Sequence, residues 1–127
     1  DGWVPGTNTL PRGVGFWMRA PSAFSLYLTG EVPSETNTTV NLPAGYRLVS
    51  FPYPVDVPIS NSVLNVVAQD GDTILRFTGT GYEAAEYIEG DGWIPGNFML
   101  RVGESYWYKS VSSKVWNEPK NVHYTYP

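Results

Sequence analysis

Apolar and polar residues alternate along several short stretches of the chain, and Gly and Pro separate these stretches. In residues 24–29, Phe24, Leu26 and Leu28 share one face of an extended chain, while the residues between them lie on the other face. Similar patterns predict strands over Val14–Ala20, Phe24–Thr29, Thr38–Leu42, Tyr46–Phe51, Thr73–Thr78, Tyr82–Ile88, Phe98–Val102, Ser105–Lys109 and Val122–Tyr126. Such short extended runs are typical of an all-β fold.

Two stretches depart from this pattern. Residues 52–58 are rich in Pro, which cannot lie in a central strand, so they predict a connection. Val63, Leu64 and Val67 have the apolar spacing of one helical turn, and Ser60 or Asn61 can cap it. The sequence therefore predicts a short helix over Ser60–Ala68, with a strand as the alternative because Val also favours strands. The predicted fold is a β-sandwich-like, mainly β protein with Pro-rich connections.

The start of the chain recurs 90 positions later. Asp1–Gly6 (DGWVPG) returns as Asp91–Gly96 (DGWIPG), and residues 1–17 match residues 91–107 at eight identical positions without a gap. This pattern predicts a partial repeat in residues 1–43 and a complete unit in residues 44–127. Aromatic residues at repeat positions are predicted to pack within the fold or between subunits: Trp3, Phe16, Trp17, Trp93, Tyr106 and Trp107.

The motifs of the complete unit resemble a known β-repeat. They are Gly45–Pro52 (GYRLVSFP), Asp72–Ile74, Gly92–Trp93 and Leu100–Tyr108 (LRVGESYWY). Together they resemble the Gly- and aromatic-rich repeat of secreted and cell-surface bacterial and archaeal proteins, which has a GWNLVSLP-type opening strand and a GYW-type closing strand. Ser105 stands where that repeat has a second Gly, which Gly15 keeps in the first copy. The resemblance implies a structural module, a secreted or surface location, and no catalytic residue to carry over.

Composition excludes several function classes. The net charge is −4, and the Lys and Arg residues are scattered, so neither a nucleic-acid partner nor a polybasic membrane patch is expected. No apolar run approaches the length of a membrane span. The chain has no Cys, so packing, strand pairing or association must stabilise it without disulfides. It begins at Asp1 without a signal-peptide pattern, as a mature product or a fragment would.

Residues able to support catalysis are sparse. His123 is the only histidine, which excludes clusters of His ligands and leaves little room for a Ser-His-Asp set, so no enzyme and no cofactor are predicted. Six of the 12 carboxylates lie in residues 70–91. A paired-carboxylate glycosidase site has no supporting motif there, and a solvated acidic face is the main interpretation. The alternative is calcium, with hard oxygen ligands offered by Asp70, Asp72, Glu89 and Asp91.

Glycans could be partners in two ways. Asn37-Thr38-Thr39 is an N-glycosylation sequon in a Ser- and Thr-bearing loop. Flat Trp and Tyr rings stack on sugars, and Trp116, Tyr124 and Tyr126 lie outside the repeat pattern that explains the other Trp residues. Carbohydrate binding or adhesion is therefore the second predicted function.

The leading prediction comes from the partial repeat. Residues 1–20 correspond to the closing third of a unit and carry apolar side chains whose burial is worth roughly 1.5–3 kcal/mol each. These side chains can pack on the complete unit in the same chain, or they can dock on another subunit and add strands at an exposed edge. A head-to-tail contact of the second kind generates a filament. The sequence therefore predicts a structural subunit of an extracellular fibre or surface layer, with copies of itself as partners.

Overall fold

The computed structural model describes Thr7 and residues 9–31 and 34–120. The strands in these residues are β1 Asn37–Leu42, β2 Gly45–Ser50, β3 Val57–Pro58, β4 Thr73–Phe77, β5 Tyr82–Ile88, β6 Gly92–Ile94, β7 Met99–Leu100, β8 Ser105–Ser110 and β9 Lys114–Pro119. A 3-10 turn over Ile59–Asn61 and the four-residue helix α1, Leu64–Val67, separate β3 from β4. The protein is mainly β, as predicted.

Antiparallel strand pairs form three sheets in the described part of the chain. The largest has the order β2-β8-β4-β5-β6, while β1 pairs with β9 and β3 pairs with β7. The inner faces of the five-stranded sheet and the β1–β9 sheet contribute to one hydrophobic core. Phe51, which follows β2, and Trp116 of β9 meet in this core with ring centroids 6.3 Å apart. The arrangement is β-sandwich-like.

Alternation along the strands selects the buried face. In β1, Thr38, Val40 and Leu42 are buried and the residues between them are exposed. In β8, Tyr106 and Tyr108 point inward, while Trp107 lies on the outer face of the sheet. The core consists of Val40, Leu42, Val49, Phe51, Tyr53, Val57, Ile59, Leu64, Ile74, Ala85, Trp93, Phe98, Leu100, Tyr106, Tyr108 and Trp116. Large aromatic rings thus supply much of the buried surface.

Most predicted strands of the complete unit are confirmed to within about two residues at each end. Tyr82–Ile88 is reproduced as β5, and the predicted Phe98–Val102 is shortened to β7. The predicted helix over Ser60–Ala68 contains the 3-10 turn and α1. The strands β3, β6 and β9 were not predicted, β3 because it lies at the end of the Pro-rich connection. Val122–Tyr126 lies outside the described residues.

The predictions of strands over Val14–Ala20 and Phe24–Thr29 are wrong for the single chain. The first is reduced to one isolated bridge between Val14 and Val49, and the second has no strand assignment at all. An extended segment becomes a strand only when a neighbour accepts its hydrogen bonds, and residues 24–29 have no such neighbour among the residues that the structure describes.

The predicted boundary between residues 43 and 44 falls between β1 and β2. Val40 and Leu42 of β1 lie in the same core as Val49 of β2, and β1 pairs along its whole length with β9. Residues 37–42 and residues 44–120 therefore share one hydrophobic core.

Candidate assembly surface

The first copy of the repeat docks on an edge of the five-stranded sheet. The Ser50 amide donates a hydrogen bond of 3.0 Å to the Gly13 carbonyl, and the Gly15 amide donates one of 3.1 Å to the Leu48 carbonyl. These two bonds flank the Val14–Val49 bridge and form one short antiparallel pairing. Residues 13–15 of the partial repeat therefore pair with β2 through a single β-bridge.

Glycine makes this close approach possible. Gly13 has φ +75°, and a Cβ on it would lie 2.2 Å from Val40 Cγ2. A Cβ on Gly15 would lie 2.7 Å from Ser105 Cβ and 2.9 Å from Leu48 Cγ. Any larger residue at either position would push the segment away from the sheet, so these glycines are requirements of the docking.

Past Gly15 the chain turns onto the outer face of the sheet. The Trp17 ring meets Phe77 edge-on, with centroids 5.5 Å apart. An open groove of about 260 Å³ lies here, lined by Phe16, Trp17, Leu48, Leu75, Arg76, Phe77, Gly103, Glu104, Ser105 and Trp107. The groove is thus largely apolar, and its charged lining residues Arg76 and Glu104 form an ion pair of 3.5 Å.

Residues 18–31 leave the sheet entirely. Within the described residues they make no hydrogen bond and belong to no strand. Their apolar side chains are exposed: Leu28 is 68% exposed, and Phe24 and Leu26 are also open to solvent. A run of exposed apolar residues in an unpaired extended segment is a common feature of interaction sites.

The aromatic residues that were predicted to pack differ in how far the structure buries them. Trp93 and Tyr106 are buried in the core of the complete unit, and Trp107 is half-buried on the outer face. Phe16 and Trp17, from the first copy, are 41% and 58% exposed. Trp3 lies outside the described residues. The aromatics of the first copy are therefore available for contacts beyond the single chain.

Asp72, one of the four calcium candidates, is a buried structural carboxylate. Its Oδ1 accepts a 2.8 Å hydrogen bond from the Val111 amide, and its Oδ2 accepts bonds from Tyr108 Oη at 2.7 Å and the Gln69 amide at 3.1 Å. Lys114 Nζ also forms an ion pair with Oδ2. Both oxygens accept hydrogen bonds, so Asp72 joins β8, β9 and the turn before β4.

This network shifts the pKa values of its members. Burial alone would raise the pKa of Asp72, but the hydrogen bonds from Lys114, Val111 and Tyr108 outweigh it and hold the pKa below its ordinary value. Burial raises the pKa of Tyr108, and the hydrogen bond to Asp72 raises it further. The network therefore stabilises the ionised carboxylate of Asp72 inside the fold.

The other calcium candidates do not converge with Asp72. Asp70 Oδ1 accepts a 3.0 Å bond from the Glu89 amide, and Asp91 is exposed in the turn before β6. Residues 9–31 and 34–120 contain no group of three or more His, Cys, Asp or Glu side chains that could hold a metal ion. Asn37 is exposed at the start of β1, and its Nδ2 donates a 3.3 Å hydrogen bond to Thr36 Oγ1.

Sequence reasoning missed a second buried carboxylate. Glu118 in β9 is buried, and its Oε2 accepts bonds from Trp116 Nε1 at 2.5 Å and from the Val63 amide at 2.9 Å. The alternation of β9 places both side chains on the inner face. Trp116 is therefore a core residue and not an exposed sugar platform, while His123, Tyr124 and Tyr126 lie outside the described residues.

Comparisons with known proteins identify no family. No family model matches the chain, and neither a curated protein nor a solved structure is significantly similar to it. The resemblance to the secreted β-repeat thus stays a prediction. In the described part of the chain no helix is long and apolar enough to cross a membrane. Fold and surface alone therefore define the class: a mainly β, sandwich-like protein with an unpaired apolar segment.

Proposed function

We propose that this protein is a structural subunit of an extracellular fibre or surface layer, which assembles head to tail when one copy donates a β-strand to the next. The observation that supports this function is the segment of residues 18–31, which is apolar, exposed and without hydrogen bonds in the described chain. Exposed apolar surface of this kind is costly unless a partner covers it.

Alternation within the segment gives the donated strand two unlike faces. Phe24, Leu26 and Leu28 form the apolar face, and Ser25 and Thr29 lie on the opposite face. A strand added to a sheet edge buries one face and leaves the other in solvent. The proposal therefore predicts that charged substitutions on the apolar face prevent assembly and that charged substitutions on the other face do not.

Electron microscopy and sedimentation velocity test this function with two matched double variants. Leu26→Lys with Leu28→Lys places two charges on the apolar face, and we expect it to abolish filaments and leave a monomer. Ser25→Lys with Thr29→Lys adds the same charge to the other face, and filaments should persist. All four positions are exposed in the single chain, so circular dichroism should show an unchanged fold.

Two results would contradict the function. A wild-type protein that stays a monodisperse monomer over a wide concentration range does not form fibres. If both lysine pairs weaken assembly equally, the loss does not depend on which face carries the charge, and strand addition is unsupported.

The groove on the outer face favours a second candidate, a carbohydrate-binding or adhesive module. Trp17, Phe77 and Trp107 line it, and Arg76 and Glu104 supply polar groups. Aromatic faces that stack on sugar rings and a few polar groups that orient them are the usual parts of such sites. For this candidate, binding to a panel of polysaccharides should be lost in Trp17→Ala and retained in Tyr27→Ala, which changes an exposed ring outside the groove.

A further inference from the structure

One edge of β1 pairs with no other strand in the described part of the chain. Pro119, which has no N–H, faces Asn37 in the register, and the Lys120 amide donates to the Thr36 carbonyl at 2.8 Å. The hydrogen bonds between β1 and β9 therefore use the even-numbered residues of β1. The N–H and C=O groups of Asn37, Thr39 and Asn41 point outward, and no described residue bonds to them.

This edge lacks the features that usually prevent strand addition. Residues 37–42 (NTTVNL) contain no Lys, Arg, Asp, Glu or Pro, which are the residues that natural edges use to stop pairing. The sheet has only two strands, β1 and β9, and a third would extend its hydrogen bonding. The hydroxyl of Thr38 is buried without a hydrogen-bond partner among the described residues, at this same strand.

Other edges in residues 34–120 are partly occupied, shorter or charged. Gly13–Gly15 already pairs with β2, and β6 is only three residues long. The uncovered part of β5, residues 82–85, contains Glu83. The edge of β9 has six residues, like that of β1, but it contains Lys114, Glu118 and Pro119, which oppose strand addition. The edge of β1 is therefore the longest described edge without a charged residue or Pro.

We infer that β1 of one copy accepts residues 24–29 of a second copy as an antiparallel third strand. This inference rests on the proposed function and names its acceptor. Both segments have six residues, and full antiparallel overlap places Phe24 opposite Leu42, Leu26 opposite Val40 and Leu28 opposite Thr38. The apolar face of the donor then extends the buried face of β1, in which those three acceptors point inward.

A second copy, and not the same chain, is the donor. Residues 30–36 are long enough to connect a hairpin between 24–29 and 37–42, yet residues 24–29 are unpaired in the structure. Arg12 forms an ion pair of 3.1 Å with Glu35 and so links the first copy to the chain just before β1. Donor and acceptor are different surfaces, so the contact repeats from copy to copy without closing.

Disulfide trapping tests the acceptor, and the absence of Cys from the chain makes it unambiguous. In the proposed register Tyr27 lies opposite Thr39 on the solvent face, at a Cα separation of about 5.5 Å, which a disulfide can span. Isotope-labelled Tyr27→Cys is mixed with unlabelled Thr39→Cys and oxidised, and mass spectrometry identifies mixed dimers. The matched control mixes Tyr27→Cys with Tyr82→Cys, an exposed position on the uncovered part of β5.

We expect mixed dimers to form at least tenfold more with Thr39→Cys than with Tyr82→Cys, and electron microscopy should show filaments of both reduced mixtures. Equal trapping at the two positions overturns the inference. Filaments without trapping at Thr39 also overturn it and leave the proposed function standing, whereas the absence of wild-type filaments removes the function itself. A double variant, Tyr27→Cys with Thr39→Cys, tests for a hairpin within one chain. If this variant forms its disulfide within a monomer, and the two single variants do not cross-link to each other, the donor is the same chain and the inference of a second copy is overturned.

Discussion

The two copies of the repeat motif have similar sequences and opposite environments. Leu100 is 1% exposed, whereas its counterpart Leu10 is 59% exposed, and the Tyr106 ring is buried where Phe16 is exposed. Yet both copies turn through a glycine with positive φ, +75° at Gly13 and the nearly equal +78° at position 103. The repeat motif therefore determines the conformation of the local turn, but it does not determine whether its residues are buried.

The difference lies in the strands that surround each copy. The second copy continues into β8, which lies between β2 and β4 and thus has a neighbour on each side. The backbone of the first copy pairs only with the outer edge of β2 among the described residues, through two hydrogen bonds. A motif of this kind becomes part of a core only where two partner strands are present, and no described strand pairs with residues 18–31.

Alanine at equivalent positions gives the largest expected contrast. Tyr106→Ala removes a buried ring whose hydroxyl accepts a 2.6 Å bond from the Arg101 amide, so we expect the free energy of unfolding to fall by about 3–5 kcal/mol. Phe16→Ala removes an exposed ring and should cost less than about 1 kcal/mol. Urea unfolding measures both. Equal losses would show that the first copy is as deeply packed in solution as the second.

Low pH should weaken the hydrogen bond between Tyr108 and Asp72, a contact that only the second copy has. Tyr108 in β8 donates to Asp72, whose pKa is lower folded than unfolded, so the unfolded chain binds protons more readily. The contribution of Asp72 is fully present above about pH 5 and is lost as the pH falls below the ordinary value of 3.8 toward the folded pKa.

Urea unfolding at a series of pH values measures this loss. Asp72→Asn should lower stability at neutral pH and flatten the decline between pH 5 and 2. Asp91→Asn, which changes an exposed carboxylate without a hydrogen bond to the described residues, should leave the decline unchanged. A decline that persists in Asp72→Asn would place its cause elsewhere.

Alanine at the two turn glycines gives the smallest and most local contrast. A Cβ at position 103 meets no heavy atom within 4 Å, so Gly103→Ala costs only the strain of positive φ, about 1–2 kcal/mol. Gly13→Ala also collides with Val40 and should detach the first copy. Hydrogen exchange at the Ser50 amide, which donates to Gly13, should accelerate about tenfold or more in Gly13→Ala and not in Gly103→Ala.

Much of the fold could be predicted from local pattern. The alternation of Tyr82–Ile88 and Thr38–Leu42 was sufficient to locate β5 and β1, since a strand with one buried face shows a period of two. The strand β9 was missed because its sequence, KVWNEP, places a carboxylate at an inward position. The burial of Glu118 depends on Trp116 and on the distant Val63, which no local pattern contains.

The candidate site was only partly predictable. The sequence identified the first copy of the repeat as a segment without its full set of partners, and it identified the alternation of residues 24–29. It could not indicate that the carboxylate oxygens of Asp72 accept hydrogen bonds within the fold, because the partners Tyr108 and Lys114 lie 36 and 42 positions away. It also could not select the unpaired edge, since an edge is defined by the strands that are absent beside it.

By itself the sequence determined the mainly β class, the inward and outward faces of most strands and the lack of any disulfide. Only the tertiary structure decided which of two similar motifs is buried, which carboxylates are structural and which segments lack a partner. The physical reason is that side-chain alternation is a property of a few neighbouring residues, whereas hydrogen bonding between strands and burial depend on residues far apart in the chain.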